Sequence, residues 1–246
     1  MHERSALIKG SIAVVGLFCF VSLILLGNWQ LDRRIWKLDL IQRVETRVHA
    51  SPEAAPDITQ WQTISKDADE YRRISVIGKF LSDKETLVVA ATELGSGYWV
   101  LTPFQRLDES IVLVNRGFIN QGVQPTLPLA GLQQVVGLLR MTEPEGSVLR
   151  TNEPVLDRWY SRDVSAIATH QKLIAAPYFI DAEKRDLEQP PLSAKIGQVP
   201  VGGLTRINFY NSHIVYAATW YGLAIMIIGA GVIIVREDRR SKSKSN

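Results

Sequence analysis

Length, composition and charge set the first limits: 246 residues, 28 lysines and arginines against 25 aspartates and glutamates, and 46% apolar side chains suit one or two ordinary domains. A single cysteine, Cys19, excludes a disulfide framework, a cysteine-based zinc site and a CxxC thiol relay within the chain. The net charge of +3 resides in short tails, because residues 28–213 carry 21 basic and 22 acidic groups, which gives no support to nucleic-acid binding.

In chain order, residues 1–9 are a short tail, with Arg4 and Lys9 against Glu3. Gly10 to Gly27 then runs for 18 residues without a charge, enough to cross a hydrocarbon core of about 30 Å at about 1.5 Å per residue. This run is longer than the roughly 7–15-residue core of a signal peptide. It exits through Leu25-Leu26-Gly27-Asn28-Trp29-Gln30, without an A-x-A cleavage pattern, so it reads as a retained anchor. Leu31, Ile35, Leu38, Ile41, Val44 and Val48 recur at helical steps. The helix is therefore predicted to continue out of the membrane to Ser51-Pro52, as an amphipathic stretch docked on its own domain.

From Tyr71 the pattern turns β-rich. Predicted strands are Tyr71 to Phe80, Thr86 to Thr92, Tyr98 to Leu107, Ser110 to Ile119 and Gln133 to Met141, with turns at Ser82-Asp83, Leu94 to Gly97, Asp108-Glu109 and Gln121 to Gly131. Their tight spacing implies an antiparallel meander curling into a small barrel or half-barrel. A short helix, Val164 to Lys172, a further strand, Pro177 to Asp181, and an extended linker, Leu187 to Gly203, complete the middle segment. Ile214 to Val235 is a second run of 22 residues without a charge, and residues 236–246 form a tail with five basic groups.

The fold class that follows is a membrane α+β protein, in which two transmembrane helices (10–27 and 214–235) flank one exported, β-rich, barrel-like antiparallel domain (28–213) with a short helix. Positive charge is retained on the cytoplasmic side of a membrane. The basic C-terminal tail therefore places both tails in the cytoplasm and the middle domain outside it. The first nine residues lack an organelle transit pattern, which points to a bacterial inner membrane and a periplasmic domain.

No G-x-S-x-G elbow, P-loop, dinucleotide fingerprint or H-E-x-x-H motif occurs. His49 and His170 fall at a helix break and on a polar helix, positions of ordinary surface histidines. The start of the second span is more informative. His213, Tyr216 and Trp220 stand at i, i+3 and i+7 and so share a helical face. A neutral imidazole there suits axial ligation of haem iron, with aromatic rings beside the porphyrin, although an interfacial aromatic belt has the same composition. Arg116, followed by Gly117 at the end of an apolar strand, suits either a buried structural pair or a propionate or partner carboxylate.

Several segments together resemble the surfeit locus 1 protein family: Leu26-Gly27-Asn28-Trp29-Gln30-Leu31-Asp32-Arg33-Arg34 with Trp36-Lys37, Tyr98 to Phe104, Val114-Asn115-Arg116-Gly117-Phe118, and Asn211 to Ala224. The ordered set covers almost the whole chain. Phe118 stands where Trp is frequent in that family. The resemblance implies a non-enzymatic assembly role for haem-copper cytochrome c oxidase, in the bilayer with subunit I and other assembly factors. It also implies transient handling of haem a, with His213 as the haem-associated histidine and Arg116-Gly117 as the family's Arg-Gly-aromatic element. Alternatives are a cofactor-free interaction scaffold and a membrane-tethered periplasmic enzyme.

Overall fold

The computed structural model describes residues 2–146, 150–184, 197–205, 207 and 209–244. The first apolar run lies within α1 (His2–His49). Then come β1 (Glu53–Ala54), α2 (Lys66–Asp69), β2 (Arg73–Phe80), β3 (Thr86–Thr92), β4 (Gly95–Arg106), β5 (Ile111–Asn120) and β6 (Gln133–Met141). α3 (Val164–His170), β7 (Ala175–Ala182) and α4 (His213–Lys244), which carries the second apolar run, complete the order. The linker predicted from Leu187 lies in part outside the described residues.

The chain forms two compact units, one of Met1–Arg43 with Asn208–Asn246 and one of Val44–Ile207. In the first, Gly10–His49 and His213–Arg240 are long and apolar enough to cross a membrane, and protein covers 6% of each apolar stretch. Side chains such as Val14, Leu17, Phe18, Ile225 and Met226 stay exposed, so their apolar surface needs a lipid environment, and the protein is a membrane protein. The stripe of α1 that is covered recurs at alternating four- and three-residue steps through Gly27, Gln30, Arg34, Lys37, Ile41 and Val44. Leu31, Ile35 and Leu38, three of the positions expected to dock, are exposed instead. The covered stripe is chosen by close packing around Gly27 and by polar pairing, which an apolar count does not register.

The second unit is a closed, barrel-like sheet. The strand order is β1-β2-β6-β7-β5-β4-β3, and a further β2–β4 pairing over Gly78–Phe80 closes a ring of five strands. A plain meander is not what forms. β7 inserts between β5 and β6, parallel to β5, because the long connection through α3 carries the chain back to the starting end of β5. β7 also begins earlier than predicted, at Ala175, with Pro177 inside it. Pro177 has no N–H to donate, and the β5–β7 register shifts around it, from Ile111↔Ala175 to Leu113↔Phe179. The expected loop Leu94 to Gly97 is shorter, since Thr92 pairs with Gly95 and leaves Glu93-Leu94 as a two-residue hairpin turn.

Alternation along the strands makes two apolar layers. Ile74, Val76, Phe104, Val112, Val114, Val135, Leu139, Tyr178 and Ile180 come from all five ring strands and fill the barrel. Val88, Leu101, Leu113 and Phe179 face the other way and are covered by Trp159, Val164 and Ile167. Each large side chain so buried contributes about 1.5–3 kcal/mol. Asp163 caps α3 by accepting from the Ala166 N–H. The β1 segment is tied down where the Tyr178 hydroxyl and the Arg106 guanidinium both donate to the Pro56 carbonyl, at 3.0 and 2.7 Å. Burial pushes the Tyr178 phenol up to about 12.

A polar cluster lies among the strands. Asp181 is 5% exposed. Its carboxylate accepts from Asn115 Nδ2 at 2.8 Å, Arg140 at 2.9 Å, Arg162 at 3.1 Å and Thr205 Oγ1 at 2.9 Å. Arg140 also donates to Glu70 at 2.8 Å, and Arg162 donates to both oxygens of Glu143 at 2.6 and 3.0 Å. Burial opposes the charge of Arg140, but Asp181 and Glu70 outweigh it and raise its pKa. Replacing Asp181 by Ala leaves Arg140 with Glu70 and Arg162 with Glu143 but removes the acceptor that four donors share, and each buried donor left unsatisfied costs about 1–3 kcal/mol. Asp181→Ala in the purified full-length protein should therefore show a clearly lower thermal midpoint, with Asp181→Asn in between. A midpoint equal to that of the wild type would refute this role.

Candidate functional site

The helical unit holds three of the four residues singled out in the sequence. α4 begins at His213, whose backbone N–H is met by Asn211 Oδ1 at 3.4 Å. Its covered face runs through His213, Ala217, Trp220, Tyr221 and Ala224, with Ala217 at 2% and Ala224 at 1% exposure. Tyr216 is 53% exposed at the edge of this face. Three-residue spacing turns a helix by about 300°, which leaves Tyr216 about 60° from His213. The structure thus brings His213 and Trp220 onto the packed stripe and leaves Tyr216 pointing off it.

Within this unit α1 and α4 meet closely. A β-carbon on Gly27 would lie 2.5 Å from the Tyr221 ring, so only glycine allows this approach. The Tyr221 hydroxyl donates to Asn28 Oδ1 at 2.7 Å, and the His213 Nδ1 lies 2.8 Å from Gln30 Oε1. Lys37 stands over the Phe209 ring at 5.2 Å, and Arg33 over Trp36 at 4.2 Å. Trp220 Nε1 is buried and has no hydrogen-bond partner among the described residues. Further along the pair, Phe18, Cys19, Leu23, Leu223, Met226 and Ile227 line an apolar groove of about 520 Å³. Asn28 and Gln30 were visible only as two amides at the end of an apolar run, and their partners lie more than 180 residues away.

Arg116 belongs to the β unit. Arg116 and Gly117 form a β-bulge: both fall between the pairs Trp99↔Phe118 and Leu101↔Asn115, where β4 has Val100 alone. Gly117 has φ +127°, and a β-carbon there would lie 2.3 Å from the Val201 backbone. That contact accompanies two hydrogen bonds between the Phe118 and Val201 backbones. Arg116 donates to Glu85 Oε2 at 2.7 Å and to the Thr126 carbonyl at 2.6 Å, and Thr102 Oγ1 donates to the same Glu85 oxygen at 3.2 Å. Arg116, Phe80, Val114, Val135 and Leu127 line a cavity of about 490 Å³. Glu85, the partner of Arg116, carried no signal in the sequence beyond being acidic.

His49 and His170 have local partners. His49 Nδ1 meets the Glu45 carbonyl at 3.0 Å, and the His170 ring lies edge-on to Trp159 at 5.8 Å. Both are exposed, as surface histidines are. Among the described residues no group of three or more His, Cys, Asp or Glu could hold a metal ion.

Comparison with known proteins identifies the family of the chain. The model of the SURF1 family matches residues 17–225, which include Gln30, Arg116, Asp181, His213 and Trp220. The chain belongs to the surfeit locus 1 family. It is 35% identical to surfeit locus protein 1 of Xenopus tropicalis over 220 residues, 80% of this chain and 67% of that protein. Identity to surfeit locus protein 1 of Homo sapiens is 32% over 222 residues, covering 81% and 69% of the two chains. A SURF1-like protein of Drosophila melanogaster is also 32% identical, over 221 residues, with 81% and 69% covered.

The ion pair in this SURF1-family barrel has a pH signature. Burial pulls the Glu85 carboxyl above its ordinary range, and Arg116 and Thr102 only partly offset that. A carboxyl whose folded pKa exceeds its unfolded one favours the folded state below the unfolded pKa, and this contribution is lost as pH rises through the folded pKa. Glu85→Gln removes this group's contribution. Thermal midpoints of wild type and Glu85→Gln, followed upward from about pH 4, should diverge in favour of the variant. Parallel curves would exclude a raised Glu85 pKa.

Proposed function

We propose that this protein is a non-enzymatic assembly factor for haem-copper cytochrome c oxidase that holds haem a during maturation of subunit I. The observation that carries the reading is His213: a half-buried imidazole at the start of a span, with one nitrogen engaged by Gln30 and Nε2 without a partner among the described residues. That nitrogen would hold a haem iron. Trp220 adds a buried indole N–H without an acceptor, a deficit of about 1–3 kcal/mol that a bound polar group relieves. In this reading Trp220 and Tyr216 would lie beside the group held by His213, and Arg116, in the β unit, would by itself serve a propionate or a partner carboxylate. Haem, when bound, supplies the iron to which the imidazole coordinates; the chain's task is to hold it and keep it from water.

Protein purified from cells that make haem a should carry a Soret band that His213→Ala weakens or shifts and His170→Ala does not. Cells lacking the gene should lose haem a and oxidase activity. Three identical spectra would remove haem from the reading and leave an assembly scaffold, which would still capture oxidase subunits without a haem spectrum.

The setting we propose is a bacterial inner membrane, with both tails cytoplasmic and the barrel periplasmic. Arg236, Arg239, Arg240, Lys242 and Lys244 beyond the second span support that orientation. Reporter fusions at Asn246 and beside Gln124 should report cytoplasm and periplasm respectively. The reverse pattern would overturn the orientation.

A further inference from the structure

Gln30 is one covered turn beyond Gly27 on α1, and its side-chain oxygen meets the His213 ring across the helix pair at 2.8 Å. A carboxamide oxygen accepts hydrogen bonds and cannot donate one. With Oε1 turned to the ring, as it is here, a hydrogen bond between the two needs the proton on Nδ1, which leaves the lone pair on Nε2. We infer that Gln30 is a positioning residue that holds His213 as its Nδ1–H tautomer and so presents Nε2 as the ligating nitrogen. This assignment rests on the haem reading above and extends it to a residue outside the ligating group.

Three features of the helix pair make the contact a constraint. Gly27 brings the helices close enough for a side-chain bond, and the Tyr221 bond to Asn28, at 2.7 Å, sets the rotation of one helix against the other. His213 and Gln30 are both half-buried, so water competes weakly for the ring nitrogen. A ligating histidine commonly donates its second N–H to a fixed acceptor, which sets both tautomer and ring orientation. Gln30 supplies that acceptor from the other helix. The backbone beside His213 is engaged separately, through Asn211, so the ring is free to answer to Gln30.

The test uses the full-length, haem-free protein in lipid nanodiscs, labelled with 15N-histidine and held at about pH 9, where imidazole is neutral. The His213 signal is identified by its loss in His213→Ala. In the wild type, Nδ1 should resonate as a protonated nitrogen and Nε2 as an unprotonated one. Gln30→Leu should shift His213 to a mixture of tautomers, while Gln30→Glu, which keeps an acceptor oxygen, should restore the Nδ1–H form. An Nε2–H tautomer in the wild type, or an unchanged spectrum in Gln30→Leu, would overturn the assignment. Ferric haem b then serves as the binding probe: Gln30→Leu should bind it about 10–100-fold more weakly, with recovery in Gln30→Glu. A wild type that has the Nδ1–H tautomer but does not bind the probe would leave Gln30 in place and count against the haem reading alone.

Discussion

The β unit depends on one buried carboxylate. Asp181 is reached by Asn115 from β5, Arg140 from β6, Arg162 from the segment before α3, and Thr205 from the chain leaving the barrel. A carboxylate removed from water is tolerable only when its oxygens are fully used, and here both accept charged or amide donors. The guanidiniums that serve it are themselves satisfied, by Glu70 and Glu143, and they lie over the Tyr71 and Phe179 rings. Apolar packing alone would tolerate several arrangements of β7. This cluster accepts one, with β7 between β5 and β6, because any other leaves a buried charge unpaired.

The short segment Asn115-Arg116-Gly117 shows how one strand serves two such demands. Asn115 turns to Asp181 and also accepts the Gly117 N–H, at 3.1 Å. Arg116 turns into the barrel toward Glu85 and the Thr126 carbonyl. Simple alternation places neighbours on opposite faces, and the bulge at Arg116-Gly117 then resets the register for Phe118. Gly117 is needed because the Val201 backbone fills the space where a side chain would stand.

The helical unit follows a different rule. In lipid, apolar surface does not drive helices together, so close approach and interhelical hydrogen bonds must do so. Gly27, Ala217 and Ala224 permit the approach, and the Gln30–His213 and Asn28–Tyr221 pairs use it. His213 is therefore at once part of the helix contact and the best candidate for chemistry.

Much of this was written in local sequence. Two uncharged runs, the period-two stretches from Arg73 to Met141, and the Asp163 cap before a short helix specify their elements, because length, hydropathy and capping act within a few residues. The helical placement of His213 and Trp220 was equally legible. What the tertiary structure alone decided was pairing at long range: β7 beside β5, Glu85 against Arg116, Gln30 against His213, and Asp181 as the centre of a charge cluster. The partners in these contacts stand from 19 to 183 residues apart. A polar residue read alone carries no record of its partner, since its choice follows from burial and geometry that exist only once the chain has closed.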